Sequence, residues 1–165
     1  MSTAGCMRLA PAGIEAARNS EGFTLMDLVA ALAIAGLLAC LAVPSYRAHL
    51  IRAHRAEARS ALLALAAAEE SFHLECNGYT AVLDESVDTS CSPPSLRFPA
   101  SAGQGDYALV VTSADATGWA AAATAVIGGQ QERDERCRVF RLDSTGGRTA
   151  STADGIANDE DCWSR

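Results

Sequence analysis

The chain has 165 residues, long enough for one domain with a hydrophobic core. Its net charge of −7 argues against a nucleic-acid binder that works through overall charge, and all 13 basic residues are arginine. Hydrophobic residues make up 49%, but much of that share is alanine and much lies in one run near the N-terminus.

Residues 1–22, MSTAGCMRLAPAGIEAARNSEG, are polar and hold no periodic pattern long enough to fold, so they read as a targeting segment. A start at Met7 would shorten this leader to sixteen residues. Phe23 to Val43 follow with a single charge, Asp27, over twenty-one residues. As a helix that run is about 31 Å long, close to the hydrocarbon thickness of a bilayer. The expected organisation is a leader at 1–22, a transmembrane and assembly helix at 23–43, and a water-soluble head at 44–165.

Pro44 removes one backbone donor and is expected to kink the rod without ending it. A second helical stretch runs from Ser45 to Leu74. Its apolar or small positions are Tyr46, Leu50, Ile51, His54, Ala58, Ala61, Leu62, Leu65 and Phe72, spaced in threes and fours along one face. Arg52, Arg55 and Arg59 fall on the opposite face, with Glu57 and Glu69 nearby. Cys76 to Gly105 is rich in Ser, Pro, Gly and Asp and reads as a long loop. Tyr107–Thr112, Trp119–Val126 and Arg138–Leu142 read as strands, with turns at Thr117-Gly118, Gly128-Gly129 and Asp143–Gly147 before a polar tail. Short connections predict antiparallel order. The fold class is α+β, a long N-terminal helix packed by its second half on a small antiparallel sheet.

Six cysteines divide by position: Cys6 and Cys40 lie in the leader and the apolar run, and Cys76, Cys91, Cys137 and Cys162 lie in the head. An even set in a small domain held outside the cytoplasm predicts two disulfides. Three pairings are possible and sequence alone leaves them open; the local one, Cys76 with Cys91 and Cys137 with Cys162, is the pairing we carry forward. No CxxC zinc spacing exists.

Gly22-Phe23-Thr24-Leu25-Met26-Asp27, the apolar run and Val43-Pro44-Ser45-Tyr46 together resemble the N-terminus of type IV pilins and pseudopilins. A weaker likeness continues through Arg55-Ala56-Glu57-Ala58, ESFHLECNGYT, Thr117-Gly118-Trp119 and Cys162-Trp163, and is nearest to the PilE-type minor pilins. The resemblance implies cleavage by prepilin peptidase between Gly22 and Phe23 and N-methylation of Phe23. It also implies assembly into a filament through Thr24, Leu25, Asp27 and Pro44 with other pilin subunits and an inner-membrane machinery. A carboxylate inside an apolar helix requires a partner, and in a stack of subunits the amine of a neighbour's Phe23 is the natural one.

Two departures stand out: Asp27 replaces the family's usual Glu, and Ser20-Glu21 precedes the cut where a basic residue is more usual. Ala31, Ala35 and Ala39 form a small-residue row that permits close helix approach, although an ordinary Ala-rich membrane helix gives the same row. Arg47, Arg52, Arg55 and Arg59 beyond the run outnumber Arg8 and Arg18 before it, which by the positive-inside rule would leave the head in the cytoplasm. The resemblance and the cysteine set favour the opposite topology: an inner-membrane precursor with a periplasmic head, then an extracellular pilus.

The expected function is a structural, minor-pilin subunit supporting adhesion, twitching motility or DNA uptake. The alternative within the family is a type II secretion pseudopilin. From another class, Leu37-Leu38-Ala39-Cys40 resembles a lipobox that would make Cys40 a lipid anchor, but that motif does not call for the flanking Phe-Thr-Leu and Pro-Ser-Tyr. His49, His54 and His73, at spacings of five and nineteen, build no shared ligand face. Arg47, Arg52, Arg55 and Arg59 could meet DNA phosphates, yet a solvated face, or pairing with acids of the next subunit, is preferred. Asp154, Asp159, Glu160 and Asp161 lack EF-hand spacing and read as a solvated loop rather than a calcium site. No metal or cofactor is expected, and no nucleophile–base pair or phosphate loop suggests an enzyme.

Overall fold

The computed structural model describes residues 24–164, so the leader and the Gly22–Phe23 pair lie outside the described residues. The chain divides after Leu41 into two compact units.

The first element is helix α1, Leu25–Cys76. It starts on Thr24, whose hydroxyl accepts from the Asp27 amide at 3.2 Å while Thr24's own amide donates to Asp27 Oδ2 at 3.0 Å. This reciprocal pairing is a capping box with Asp in place of Glu. α1 continues through Pro44 as one element. From residue 24 to 43 no side chain is buried: Leu25, Met26, Leu28, Val29, Leu32, Ile34, Leu37, Leu38 and Leu41 are all at least 52% exposed.

Within the second unit, α1 buries Ala58, Leu62, Leu65, Glu69 and Phe72, a stripe with steps of four, three, four and three. Two of the sequence expectations change here. Tyr46 is exposed, and Glu69, expected near the arginine face, is fully buried. The helix stops at Asn77, which takes φ 55°, the left-handed conformation that asparagine tolerates at a helix end.

The segment expected as a long loop carries structure of its own. Strands β1 (Ser90–Cys91) and β2 (Pro94–Ser95) form a small hairpin, and Leu83 bridges Leu96. The main sheet is an antiparallel meander of five strands: β3 (Ser101–Ala102), β4 (Tyr107–Ala114), β5 (Trp119–Ala125), β6 (Val139–Asp143) and β7 (Arg148–Ser151). The tail expected as purely polar therefore supplies an edge strand and also a short helix, α2, Asp159–Trp163. Val139 pairs with Ser151 and Leu142 with Arg148, so the polar stretch enters the sheet through backbone bonds and buries only Ala150 and Ser151.

Both well-formed hairpin turns begin with Asp. Asp115 Oδ1 accepts from the amides of Thr117 and Gly118, and Asp143 Oδ1 accepts from those of Thr145 and Gly147. An Asp side chain bonding its own following backbone fixes such a turn locally. Strand β5, WAAAATA, has weak intrinsic strand preference; it forms as the centre of the meander, bonded on both sides, with Trp119, Ala121, Ala123 and Ala125 turned into the core. Tyr107, Leu109, Val111, Phe140 and Leu142 complete that core with Ala58, Leu62, Leu65 and Phe72 of the helix. The architecture is thus a long N-terminal apolar helix packed against a small antiparallel sheet.

Two disulfides close the head, Cys76–Cys91 over 15 residues and Cys137–Cys162 over 25. Cys137 and Cys162 are both fully buried, and Cys40 is free and exposed. The second bridge fastens α2 beneath the sheet, where Trp163 donates to the Thr149 carbonyl at 2.9 Å and meets Phe140 edge-on at 5.8 Å.

Candidate functional site

Thr24, Leu25 and Asp27 stand together at the start of α1. Asp27 Oδ2 accepts from both the amide and the hydroxyl of Thr24, the latter at 2.7 Å, so the carboxylate that the apolar run cannot solvate already has two local donors. Its negative charge also lies at the positive end of the helix dipole. Pro44 lies mid-helix and, lacking an N–H, leaves the Cys40 carbonyl without its usual helical donor. Gly22 and Phe23 are outside the described residues.

A second constellation fastens α1 to the head. Arg55 grips Asp134 through two parallel bonds, Nε to Oδ2 and Nη2 to Oδ1, each 2.6 Å. Asp134, 1% exposed, also accepts from Gln131 Nε2 at 2.9 Å and from the amides of Arg136 and Cys137. Burial alone would push this carboxyl up; the hydrogen bond and charge of Arg55, joined by those two amides, prevail and hold it below the ordinary carboxylate range. Gln131, in the 3-10 turn Gln130–Arg133, reaches the Ile51 carbonyl at 3.4 Å. Arg59 donates to the carbonyls of Cys162 and Trp163 at 3.2 and 3.3 Å. Burial, then the charge of Arg55, lowers its pKa without threatening its protonation.

Arg55 and Arg59 are therefore neither solvated nor paired with another subunit's acids, as the helix pattern suggested; they are committed to this chain's own head. Their partners, Asp134 and two backbone carbonyls, stand 79 to 104 residues away and carry no sequence signal that links them to the helix. Arg47, Arg52 and Arg133, by contrast, are exposed and make no ion pair among the described residues. Arg47 and Arg133 line one cleft at the foot of the head with Val43, Tyr46, Leu50, Ile51 and the Gly128-Gly129 turn.

The acidic tail is partly engaged as well. Asp159 accepts from the Ala150 amide at 2.6 Å, and Asp161 pairs with Arg136. Of the three histidines, His54 stands apart: Asp106 and Glu57 bring carboxylates close to its ring. The sequence reading compared histidines only with one another and missed both.

A long apolar helix capped by Thr24 and Asp27, with a disulfide-closed antiparallel head locked onto its second half, defines a type IV pilin-class protein. Residues 44–141 match the family described as type IV minor pilin ComP, DNA uptake sequence receptor, and the chain belongs to that family. Among curated proteins, the type IV major pilin protein PilA of Myxococcus xanthus (strain DK1622) is 36% identical over 67 residues, 41% of this chain and 30% of the relative. The match thus spans less than a third of that relative's length. Members of such families are structural subunits, not enzymes.

Proposed function

We propose that this chain is a minor subunit of a type IV pilus, inserted through its apolar helix, trimmed by prepilin peptidase between Gly22 and Phe23, methylated at Phe23 and drawn into the filament by an inner-membrane machinery. The observation that carries the reading is the exposure of every residue from 24 to 43. A run of large apolar side chains with no partner among the described residues requires lipid or other helices. In the precursor the partner is the membrane, with the head on the periplasmic side. In the filament it is the same helix of neighbouring subunits, where Asp27 exchanges a local Thr24 contact for a neighbour's Phe23 amine. The test is whether sheared pili from the native host contain the chain. A bulky residue at Gly22 is expected to leave full-length precursor in the membrane and none in the filament; normal processing of that variant would sink the assignment.

The matched family is described as a DNA uptake sequence receptor, and the same role is proposed for this chain. With a net charge of −7, any DNA contact must be local. Arg47, Arg52 and Arg133 are exposed arginines without an ion pair among the described residues, unlike the committed Arg55 and Arg59. Binding of the full chain in detergent to short duplex DNA should weaken steeply with salt. Arg47→Ala and Arg133→Ala should each lower the salt slope by about one. A slope unchanged in both variants would remove the cleft from consideration.

A further inference from the structure

We infer that His54, Glu57 and Asp106 form a binding site for a divalent zinc-type cation at the join between α1 and the turn before β4. His54 and Glu57 are three residues apart on α1 and so face the same way. Asp106 comes from the turn Gly103–Asp106, held in place where the Val126 amide donates to its carbonyl at 3.0 Å. One ligand atom from each of the three residues lies within 4.8 Å of the other two. One edge, His54 Nδ1 to Asp106 Oδ2, is 3.4 Å. Two ligands about 2.1 Å from a tetrahedral zinc are themselves about 3.4 Å apart, so this edge already has the span the ion requires.

Two further features point to a ligand. His54 Nδ1 is buried and has no hydrogen-bond partner, an orphan that a bound cation would satisfy. Gly103, at φ +62°, leaves room that the Glu57 carboxylate fills; a Cβ there would collide with Glu57 Oε2. The turn thus admits the carboxylate to the site by having no side chain of its own. Glu57 is exposed, so its rotation closes the other edges at little cost, while His54 and Asp106 are 16% and 13% exposed and held by the fold. One imidazole nitrogen and two carboxylate oxygens suit zinc and leave a fourth position for water. Gln104 and Gln130 border the opening. Occupied, the site ties the helix to the β3–β4 side of the sheet, as Arg55–Asp134 ties it to the segment before β6.

The test uses the full chain in detergent, with Cys6→Ser and Cys40→Ser so that neither thiol competes, stripped by chelator and titrated with zinc alone. One saturable equivalent per chain is expected, with a rise in Tm on binding. His54→Ala and Glu57→Gln should each weaken binding by at least about tenfold and abolish the Tm rise, since losing a ligand costs no less than losing its outer-shell support. His49→Ala should leave both unchanged. Glu57 is exposed, so Glu57→Gln keeps its fold, checked by an unchanged far-UV spectrum. Absence of saturable binding, or equal affinity in the parent and both ligand variants, would reduce the cluster to a plain His–Asp contact.

Discussion

The two halves of α1 belong to one continuous helix, yet they are stabilised by opposite means. Residues 25–43 bury nothing against the described residues and keep a local cap at Thr24 and Asp27. Residues 58–72 bury five side chains against a sheet assembled from sequence positions 101–151. A helix that is apolar all round takes its environment from outside, whereas one with a stripe of buried residues finds it in its own chain. Sequence shows the first kind at a glance, because a run of about twenty apolar residues is its own signature. The second kind shows only its face, not what will cover it.

This contrast can be broken most severely at the lock between helix and head. Arg55→Ala would leave the Asp134 carboxylate buried without its guanidinium and should lower the head's unfolding free energy by about 3–5 kcal/mol in urea titration. Arg55→Lys should recover only part of that, since an ammonium cannot reproduce the two parallel bonds. Acid should reveal the same lock. Because Asp134 is held below its ordinary value of 3.8, its contribution is present above that pH and is lost as pH falls through the folded value.

Next in size is the Cys137–Cys162 bridge. Replacing both cysteines by Ala should cost about 3 kcal/mol in the chain-entropy model, read as a lower urea midpoint, and should free α2 to exchange its amides faster.

Glu69 offers a smaller effect of opposite sign. Its carboxyl is buried, one oxygen takes the Thr80 amide at 3.2 Å, and the other has no partner. Burial pushes its pKa up, against the Thr80 amide and with help from Glu70. The folded state therefore holds the proton more tightly than the unfolded chain. Its contribution is full below the ordinary value of 4.5 and is lost as pH rises through the folded value. Glu69→Gln should flatten that decline and leave the head more stable at pH 7 than the parent, measured by thermal melts across pH.

The smallest expected effect lies on the other half of the helix. Leu32→Ala, at a site 64% exposed, should change head stability by less than about 0.5 kcal/mol while weakening membrane retention of the precursor. A large loss of head stability would show that the two halves are not independent in the way their burial implies.

Much of the fold was legible because its signals are local. The apolar run, the stripe Ala58–Phe72, the strands opening at Tyr107 and Trp119 and the turns at Thr117-Gly118 and Asp143–Gly147 all declare themselves within a few residues. Strand β7 did not, because Arg148–Ser151 joins the sheet through backbone bonds at an edge where Arg148 and Thr149 stay exposed. The burial of Glu69 and the roles of Arg55 and Arg59 were also hidden. Each depends on a partner far along the chain, and a charged residue with a distant partner looks in sequence like one facing solvent. The His54 cluster was missed for the same reason: Asp106 is fifty-two positions from His54, and only the packed turn brings them together.

The central claim, that the exposed half of α1 is an assembly element in a processed pilin, is tested most directly by the mass of the N-terminal peptide from protein recovered in sheared host filaments. A chain that begins at N-methylated Phe23 is the expected result. A chain beginning at lipidated Cys40, or filaments that lack the protein altogether, would contradict it.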